Sequence, residues 1–159
     1  MHVTIVDLTT AHIGDLVRLY EEAPPDYSRY FHPFTFDSPT LMRLLASRQR
    51  DLYYVVLADG EVAGYYMLRG FDEGYRTPAY GVWISPLFSG HGLARATLEH
   101  AVTVCRQLGC KDVMLKVHPQ NRRAKALYER FGFRQVGADS ANQNFVYCML
   151  LGAEGKRAR

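Results

Sequence analysis

Apolar residues recur along this chain with two different spacings, and the spacing decides which segments we predict as strands and which as helices. Short runs rich in β-branched and aromatic residues predict strands, whereas apolar residues three or four positions apart predict helices. The predicted strands are residues 3–8, 52–58, 61–71, 79–85, 112–117 and 142–151. The predicted helices begin near Thr10, Ser38, Gly92 and Asn121.

Turn residues mark where these elements end. Asp59 and Gly60 lie between two β-rich runs and predict a hairpin. Gly109 and Gly132 follow the last apolar positions of the third and fourth helices, as glycine commonly does. The order of elements predicts a mixed α/β or α+β fold in a single domain of residues 1–152, with residues 153–159 as a mobile tail.

Composition excludes several classes of protein. An apolar fraction of 48% with 22% charged residues is typical of a globular protein, and no apolar run reaches the ~18 residues of a membrane span. A net charge of +3 gives little support to nucleic-acid binding. Cys105, Cys110 and Cys148 lack metal-ligand spacing, so we expect reduced thiols and no metal. No secretory signal is visible at the N-terminus, and we expect a cytoplasmic protein.

The segment from Ser89 to Ala94 joins a predicted strand to a predicted helix and contains two glycines. Backbone N–H groups at a helix N-terminus bind phosphate, and Gly90 and Gly92 permit the close approach and positive φ that such a loop needs. Arg95 in the first turn could add a charged contact. An ordinary tight turn explains the glycines equally well. The dinucleotide fingerprint and the phosphate loop of nucleoside triphosphatases are both incomplete here.

One face of the fourth predicted helix carries Asn121, Ala124 and Tyr128, at positions i, i+3 and i+7. Each polar member has an alternative structural explanation, since Asn121 could cap the helix and Tyr128 could belong to the core. Taken singly, these structural explanations are the better ones. The glycine loop, a strand and then this helix, in that order, favour a binding site.

In these segments the chain resembles the GCN5-related N-acetyltransferase (GNAT) family. The family's acetyl-CoA loop has the pattern Gln/Arg-x-x-Gly-x-Gly/Ala, and the corresponding segment here is Ser89-Gly90-His91-Gly92-Leu93-Ala94. The first position departs from the pattern, because Ser89 has neither an amide nor a guanidinium group. The second family pattern is fully met by Asn121, Ala124, Leu127, Tyr128, Glu129, Gly132 and Phe133.

The resemblance implies a fold and a set of acetyl-CoA contacts. The fold would be a central, mostly antiparallel mixed sheet of about six to seven strands, flanked by about four helices. Backbone groups of Trp83 and Ile84 would pair with the pantetheine arm, Asn121 would hydrogen-bond the cofactor beside Ala124, and Tyr128 would protonate the departing sulfur. The pyrophosphate would be held by the loop and first turn, namely Ser89, Gly90, His91, Gly92, Leu93, Ala94 and Arg95.

The general base and the acceptor are less well defined by the sequence. Residues 79–85 contain no acid where many family members have a glutamate, so Glu73 and His32 are candidate bases, and a water chain is an equal alternative. Tyr30, Phe31 and Phe34 predict a compact pocket for a small amine, amino acid or amino sugar, although they could simply anchor a loop.

Two other functions remain open from the sequence. One is transfer to a peptide or protein amine. The other is a non-catalytic acyl-CoA-binding module, which the departure at Ser89 favours and the presence of Tyr128 disfavours. The family also makes a homodimer a reasonable expectation, whereas no membrane or nucleic-acid partner is expected.

Overall fold

The computed structural model describes residues 1–31 and 33–152, which contain one sheet of seven strands in the order β1-β2-β3-β4-β5-β7-β6. Neighbouring strands run antiparallel except β4 and β5, which run parallel. The strands are Val3–Asp7, Leu52–Ala58, Glu61–Arg69, Ala79–Ile84, Asp112–Val117, Arg134–Ala138 and Phe145–Leu150, numbered β1 to β7. This confirms the predicted mostly antiparallel mixed sheet.

In the described part of the chain, four α-helices flank the sheet, as predicted. They are Thr10–Glu22, Ser38–Ser47, Leu93–Gln107 and Arg122–Phe131, numbered α1 to α4. A single 3₁₀ turn, Pro86–Phe88, precedes α3. Among residues 1–31 and 33–152, no helix is long and apolar enough to cross a membrane.

The two faces of the sheet bury different side chains because successive residues of a strand point to opposite sides. One face packs against α3 and α4, and its core includes Tyr66, Tyr80, Leu115 and Tyr128. The other face packs against α1 and α2 around Tyr65. The sheet therefore lies between two large clusters of buried side chains in the described residues, and a smaller third cluster contains Val56, Ala58, Ala63 and Leu93.

The sheet opens between its two parallel strands. β4 and β5 pair only at Ala79 and Met114, near the start of each strand. β4 keeps its full pairing with β3 along its other edge, from Ala79 to Ile84. Beyond Ala79, backbone groups on one edge of β4 therefore have no strand partner, and the gap leads toward the segment that precedes α3.

The structure differs from the sequence prediction mainly at β6. Residues 134–138 are all exposed and show no alternation of apolar and polar side chains, so the pattern did not predict a strand there. Pairing with β7 along the edge of the sheet makes this segment a strand. The predicted hairpin at Asp59 and Gly60 is confirmed, with φ of 50° and 83° as a type I′ turn requires.

Candidate active site

A cleft of about 720 Å³ occupies the gap between β4 and β5. Its walls come from β4, the segment before α3, the first turn of α3, the end of β5, one face of α4 and the connection between α1 and α2. Segments far apart in the sequence therefore meet at this single opening in the sheet.

The register of β4 decides which of its backbone groups face the cleft. Ser85 donates its N–H to Ala63 of β3 at 2.8 Å, while Pro78 accepts the N–H of Met114 on the β5 side at 3.0 Å. Since backbone groups alternate in direction along a strand, Val82 and Ile84 point into the cleft. The backbone groups of Trp83 point toward β3 and not into the cleft, whereas those of Val82 face the cleft.

Trp83 contributes to the cleft through its side chain. The indole is 4% exposed and lines the cleft, and its Nε1–H donates to Ser28 Oγ at 2.8 Å. Its ring also contacts Tyr20 and Tyr27, with centroids 5.3 Å and 6.3 Å away. Trp83 therefore anchors the connection between α1 and α2 over β4.

Tyr27 closes part of the cleft from that connection. Its hydroxyl donates to the cleft-facing carbonyl of Ile84 at 2.6 Å. Burial raises the pKa of Tyr27, an effect that the nearby Arg123 guanidinium opposes. Any ligand that pairs with the Ile84 carbonyl must compete with this phenol.

The glycine loop has a backbone conformation that is compatible with binding an anion. Gly90 and Gly92 have φ of 82° and 75°, and Gly92 is the N-cap of α3. A Cβ at either glycine would meet nothing within 4 Å, so it is the backbone conformation that favours glycine. The N–H groups of the first helical turn have no partner within the helix and suit a phosphate group.

Ser89 uses its side chain locally. Its hydroxyl donates to the carbonyl of Pro86 at 3.0 Å and closes the 3₁₀ turn. The Ser89 hydroxyl is therefore occupied, and backbone N–H groups are the donors that this position offers to a ligand, as the departure from the family pattern suggested. His91 is exposed and is not among the described residues that line the cleft.

Arg95 lies in the first turn of α3 and lines the cleft. Its guanidinium lies over the ring of Phe131, 5.3 Å from the centroid, and its Nε is 3.9 Å from Glu99 Oε2. With 52% of the side chain exposed, this ion pair contributes little to stability. Arg95 therefore remains available for a ligand anion.

Asn121 caps α4, which is the structural role that the sequence offered as an alternative to ligand binding. Its Oδ1 accepts the N–H of Ala124 at 3.3 Å. The amide NH₂ group is not used by this cap, and Asn121 and the small Ala124 both line the cleft. The cap fixes the side chain in a position from which its NH₂ group can donate to a ligand.

Tyr128 lies deep in the cleft and is 8% exposed. Its ring makes edge contacts with Tyr80 and Phe133, at centroid distances of 6.2 Å and 5.9 Å. No hydrogen bond from its hydroxyl is formed within the described part of the chain. Burial raises the pKa of Tyr128 to about 12, so the residue stays a phenol at neutral pH.

Tyr80 was not singled out from the sequence, although it forms the floor of the cleft beside Tyr128. Thr97 donates its hydroxyl to the Ala94 carbonyl at 2.7 Å, and the Tyr80 hydroxyl lies 2.7 Å from Thr97 Oγ1. Because a threonine hydroxyl has a single proton, Tyr80 is the donor in this pair. The chain of two bonds ties β4 to the first turn of α3.

His118 was also missed, and the only sequence signal is its place directly after β5. Its ring stacks on Tyr30, with centroids 4.5 Å apart and planes 27° apart. Its Nδ1 accepts the N–H of Gln120 at 3.1 Å, so the neutral ring carries its proton on Nε2. His118 is thus arranged as a hydrogen-bond donor.

The three predicted acceptor-side aromatics separate into two groups. Tyr30 and Phe31 line the cleft. Phe34 is not among the lining residues of the described chain, and instead lies parallel to Phe36 at 6.2 Å. The guanidinium of Arg69 lies over its other side, 5.4 Å from the Phe34 centroid. Phe34 therefore anchors the α1–α2 connection.

Glu73, one of the two predicted bases, is not among the described residues that line the cleft. Glu73 is exposed in the turn that follows β3, near the start of β4 and away from the end where the cleft widens. His32 lies outside the described residues. Asp72, the residue before Glu73, accepts the backbone N–H groups of Gln49 and Asp51 and so holds two loops together.

The cleft offers no evident metal ligands. Within residues 1–31 and 33–152, no three His, Cys, Asp or Glu side chains converge to hold a metal ion. The three cysteines form no disulfide. The cleft does offer phenols, backbone N–H groups, an imidazole and cationic side chains.

Comparison with known proteins agrees with this geometry. Residues 16–133 match the acetyltransferase (GNAT) family. The chain is 26% identical over 102 residues to a 5-NmdU N-acetyltransferase of Pseudomonas phage PaMx11, covering 64% of this chain and 71% of that protein.

Solved structures of low sequence identity share the fold. A variant of spermidine N-acetyltransferase SpeG from Vibrio cholerae superposes with a TM-score of 0.79 at 19% identity, covering 99% of this chain and 98% of that one. The PaiA N-acetyltransferase of Thermoplasma acidophilum, in complex with coenzyme A, gives 0.75 at 16% identity, covering 94% and 99%.

Proposed function

This chain belongs to the acetyltransferase (GNAT) family and is an acetyl-CoA-dependent acyltransferase, and we propose that it acetylates the primary amine of a small molecule by direct attack within a ternary complex. The observation that carries the proposal is one cleft with an anion-binding helix terminus at one end and the buried phenol of Tyr128 within it. These are the groups that a thioester with a phosphorylated carrier requires.

The residues of the cleft fit acetyl-CoA as the acyl donor. The N–H groups from Gly90 to Arg95 would hold the pyrophosphate, with the Arg95 guanidinium as an added charge. The backbone edge of β4 at Ile84 has no strand partner and would pair with the pantetheine amides once the Tyr27 hydroxyl gives way, and the Asn121 amide would donate a further hydrogen bond. Acetyl-CoA supplies an activated acyl group to this arrangement.

The protein groups match the needs of the acyl transfer. The backbone N–H of Val82 faces the cleft and can polarise the thioester carbonyl. The neutral acceptor nitrogen forms the new C–N bond as the C–S bond breaks. Tyr128 gives a hydrogen bond or proton to the sulfur, and the nitrogen restores that proton as it becomes an amide. Positioning both reactants in one cleft supplies much of the remaining rate.

We assign the first deprotonation of the acceptor to water that connects the cleft with solvent. Asp26 is the only carboxylate among the described lining residues, and it lies beside Tyr27 at the edge. His118 is disfavoured as a base because its Nδ1 is already an acceptor and its Nε2 carries the proton. The acceptor therefore enters the reaction as the small fraction of amine that is neutral in solution.

The acceptor side favours a small molecule. The aromatic walls formed by Tyr30 and Phe31 and the bridge from Tyr27 to Ile84 restrict the cleft, whose volume is within the range of small-molecule sites. Transfer to a peptide or protein amine is the alternative that the same assay tests.

A thiol-release screen tests the proposal. Acetyl-CoA would be offered with primary amines, amino acids, amino sugars, nucleosides bearing an aminomethyl group, and peptides, and free CoA thiol would be measured. We expect acceptor-dependent release with at least one small amine and a mass increase of one acetyl group on that amine. Binding of CoA without turnover of any amine would contradict the proposal, and turnover of peptides alone would replace the acceptor class.

A further inference from the structure

Positive charge is concentrated in the cleft. The described lining residues include five arginine or lysine side chains and one carboxylate, Asp26. The whole chain is nearly balanced, with 19 basic and 16 acidic residues. A concave surface lined by one sign of charge focuses the field and attracts ligands of the opposite sign.

The phosphates of acetyl-CoA account for only part of this charge. Arg95, Arg123 and Arg130 belong to α3 and α4, on the side of the sheet that carries the glycine loop. Lys116 points to the other side, because its neighbours Leu115 and Val117 are buried against α3 and α4.

Arg29 also comes from outside the glycine loop, α3 and α4. It belongs to the connection between α1 and α2, and this connection packs on the same side as Lys116 through Trp83 and Ser28. The two cations therefore line the acceptor side of the opening, where the donor's phosphates do not reach if the glycine loop holds them.

Arg29 and His118 both contact the same ring. The Arg29 guanidinium lies over Tyr30, 4.7 Å from the centroid, and the His118 ring stacks on Tyr30 with centroids 4.5 Å apart. His118 presents its Nε2–H as a further donor. Lys116 is held by Asp139 Oδ2 at 2.7 Å and keeps two of its three N–H donors for other partners.

We infer that the acceptor amine carries an anionic group, a carboxylate or a phosphate, bound by Lys116, Arg29 and His118. This inference rests on the proposed function, since it concerns the second substrate of the same cleft. The stacked rings would contact the organic body of the acceptor, while the cations hold its charged end. A polycationic amine would meet like charges at this position.

Matched acceptor pairs test the inference. The kcat/KM of thiol release would be compared for amino acids and their amides, and for amino sugar phosphates and the free amino sugars. We expect the anionic member of one pair to exceed its neutral partner about tenfold, as for a hydrogen-bonded charge pair. The pair that shows the preference distinguishes a carboxylate from a phosphate, and added salt should reduce the ratio.

Variants connect the preference to the named residues. Lys116→Met should bring the anionic-to-neutral ratio of kcat/KM close to one, and Lys116→Arg should restore most of it. His118→Phe, which retains a ring beside Tyr30, should also lower the ratio. Lys111→Met is the matched control, because Lys111 is exposed at the start of the same strand and outside the cleft lining.

The outcomes separate the inference from the proposed function. Equal or better turnover of the neutral or polycationic members overturns the inference while the transferase proposal stands. An anionic preference that survives Lys116→Met unchanged also overturns it, since the charge would then be bound elsewhere. Absence of thiol release with every amine, despite CoA binding, overturns both.

Discussion

Replacing Tyr128 by phenylalanine removes one hydroxyl from the deepest part of the cleft. The ring contacts with Tyr80 and Phe133 do not depend on the hydroxyl, and no described residue accepts a hydrogen bond from it. We therefore expect the free energy of unfolding at pH 7 to change by less than about 1 kcal/mol, within the range of hydroxyl removals that break no hydrogen bond.

The effect on catalysis should be much larger. General acid catalysis by a positioned side chain contributes roughly 10²- to 10⁴-fold, which corresponds to about 3 to 5 kcal/mol of barrier. Tyr128→Phe should lower the single-turnover rate of acetyl transfer by that range, with CoA affinity nearly unchanged. Single-turnover measurement is required because slow product release could conceal the loss in steady-state kcat.

Tyr65→Phe provides the matched control. Tyr65 is fully buried on the other face of the sheet, and its hydroxyl has only a weak contact with Met67 Sδ at 3.8 Å. This variant removes the same group from a similar environment and should retain the wild-type rate. A Tyr128→Phe rate within about threefold of wild type, with a normal Tyr65→Phe control, would refute the acid role.

Alkaline stability gives an independent measurement on the same variant. Burial raises the pKa of Tyr128 to about 12 in the folded chain, whereas an unfolded tyrosine titrates near ~10. Between these values the folded state binds more protons than the unfolded state, so stability falls as the pH rises. The difference corresponds to roughly 3 kcal/mol by pH 12, and Tyr128→Phe should remove that part of the decline.

Three further changes test other parts of the cleft. Arg95→Ala should weaken CoA binding, measured by calorimetry, about three- to tenfold, because it removes one charge contact. The loss should be larger at low salt than at high salt. An unchanged affinity would mean that the phosphates bind elsewhere. Tyr27→Phe should strengthen CoA binding about threefold, because the Ile84 carbonyl no longer has a competing donor; weaker binding would mean that the phenol holds the ligand. The kcat/KM for the acceptor should rise about tenfold per pH unit up to the amine's own pKa, and the Asp26→Asn variant should show the same pH profile. A plateau at lower pH that Asp26→Asn abolishes would identify a protein base.

The secondary structure was largely predictable because it is encoded locally. The hairpin at Asp59 and Gly60 follows from residues that accept positive φ, and the end of α4 at Gly132 follows from the same property. β6 was not predictable in this way. Its residues are exposed and without alternation, and only an available edge on β7 makes them a strand.

The features of the site can be separated in the same way, into those that a local segment encodes and those that depend on strand pairing. The glycine loop and the face shared by Asn121 and Tyr128 were predictable, because backbone conformation and helical spacing are properties of a short segment. The sequence did not predict that the backbone of Val82, and not that of Trp83, faces the cleft. The direction of a backbone group depends on which neighbour a strand pairs with.

The sequence alone determined where phosphate and a phenol could be presented, since both depend on segments of about a dozen residues. Only the tertiary structure decided which other side chains lie beside these groups. The pairing of Tyr30 with His118, and the position of Lys116 on the face opposite α3, arise from chain crossings and strand register. Such contacts join residues distant in sequence, and no local pattern of apolar and polar positions records them.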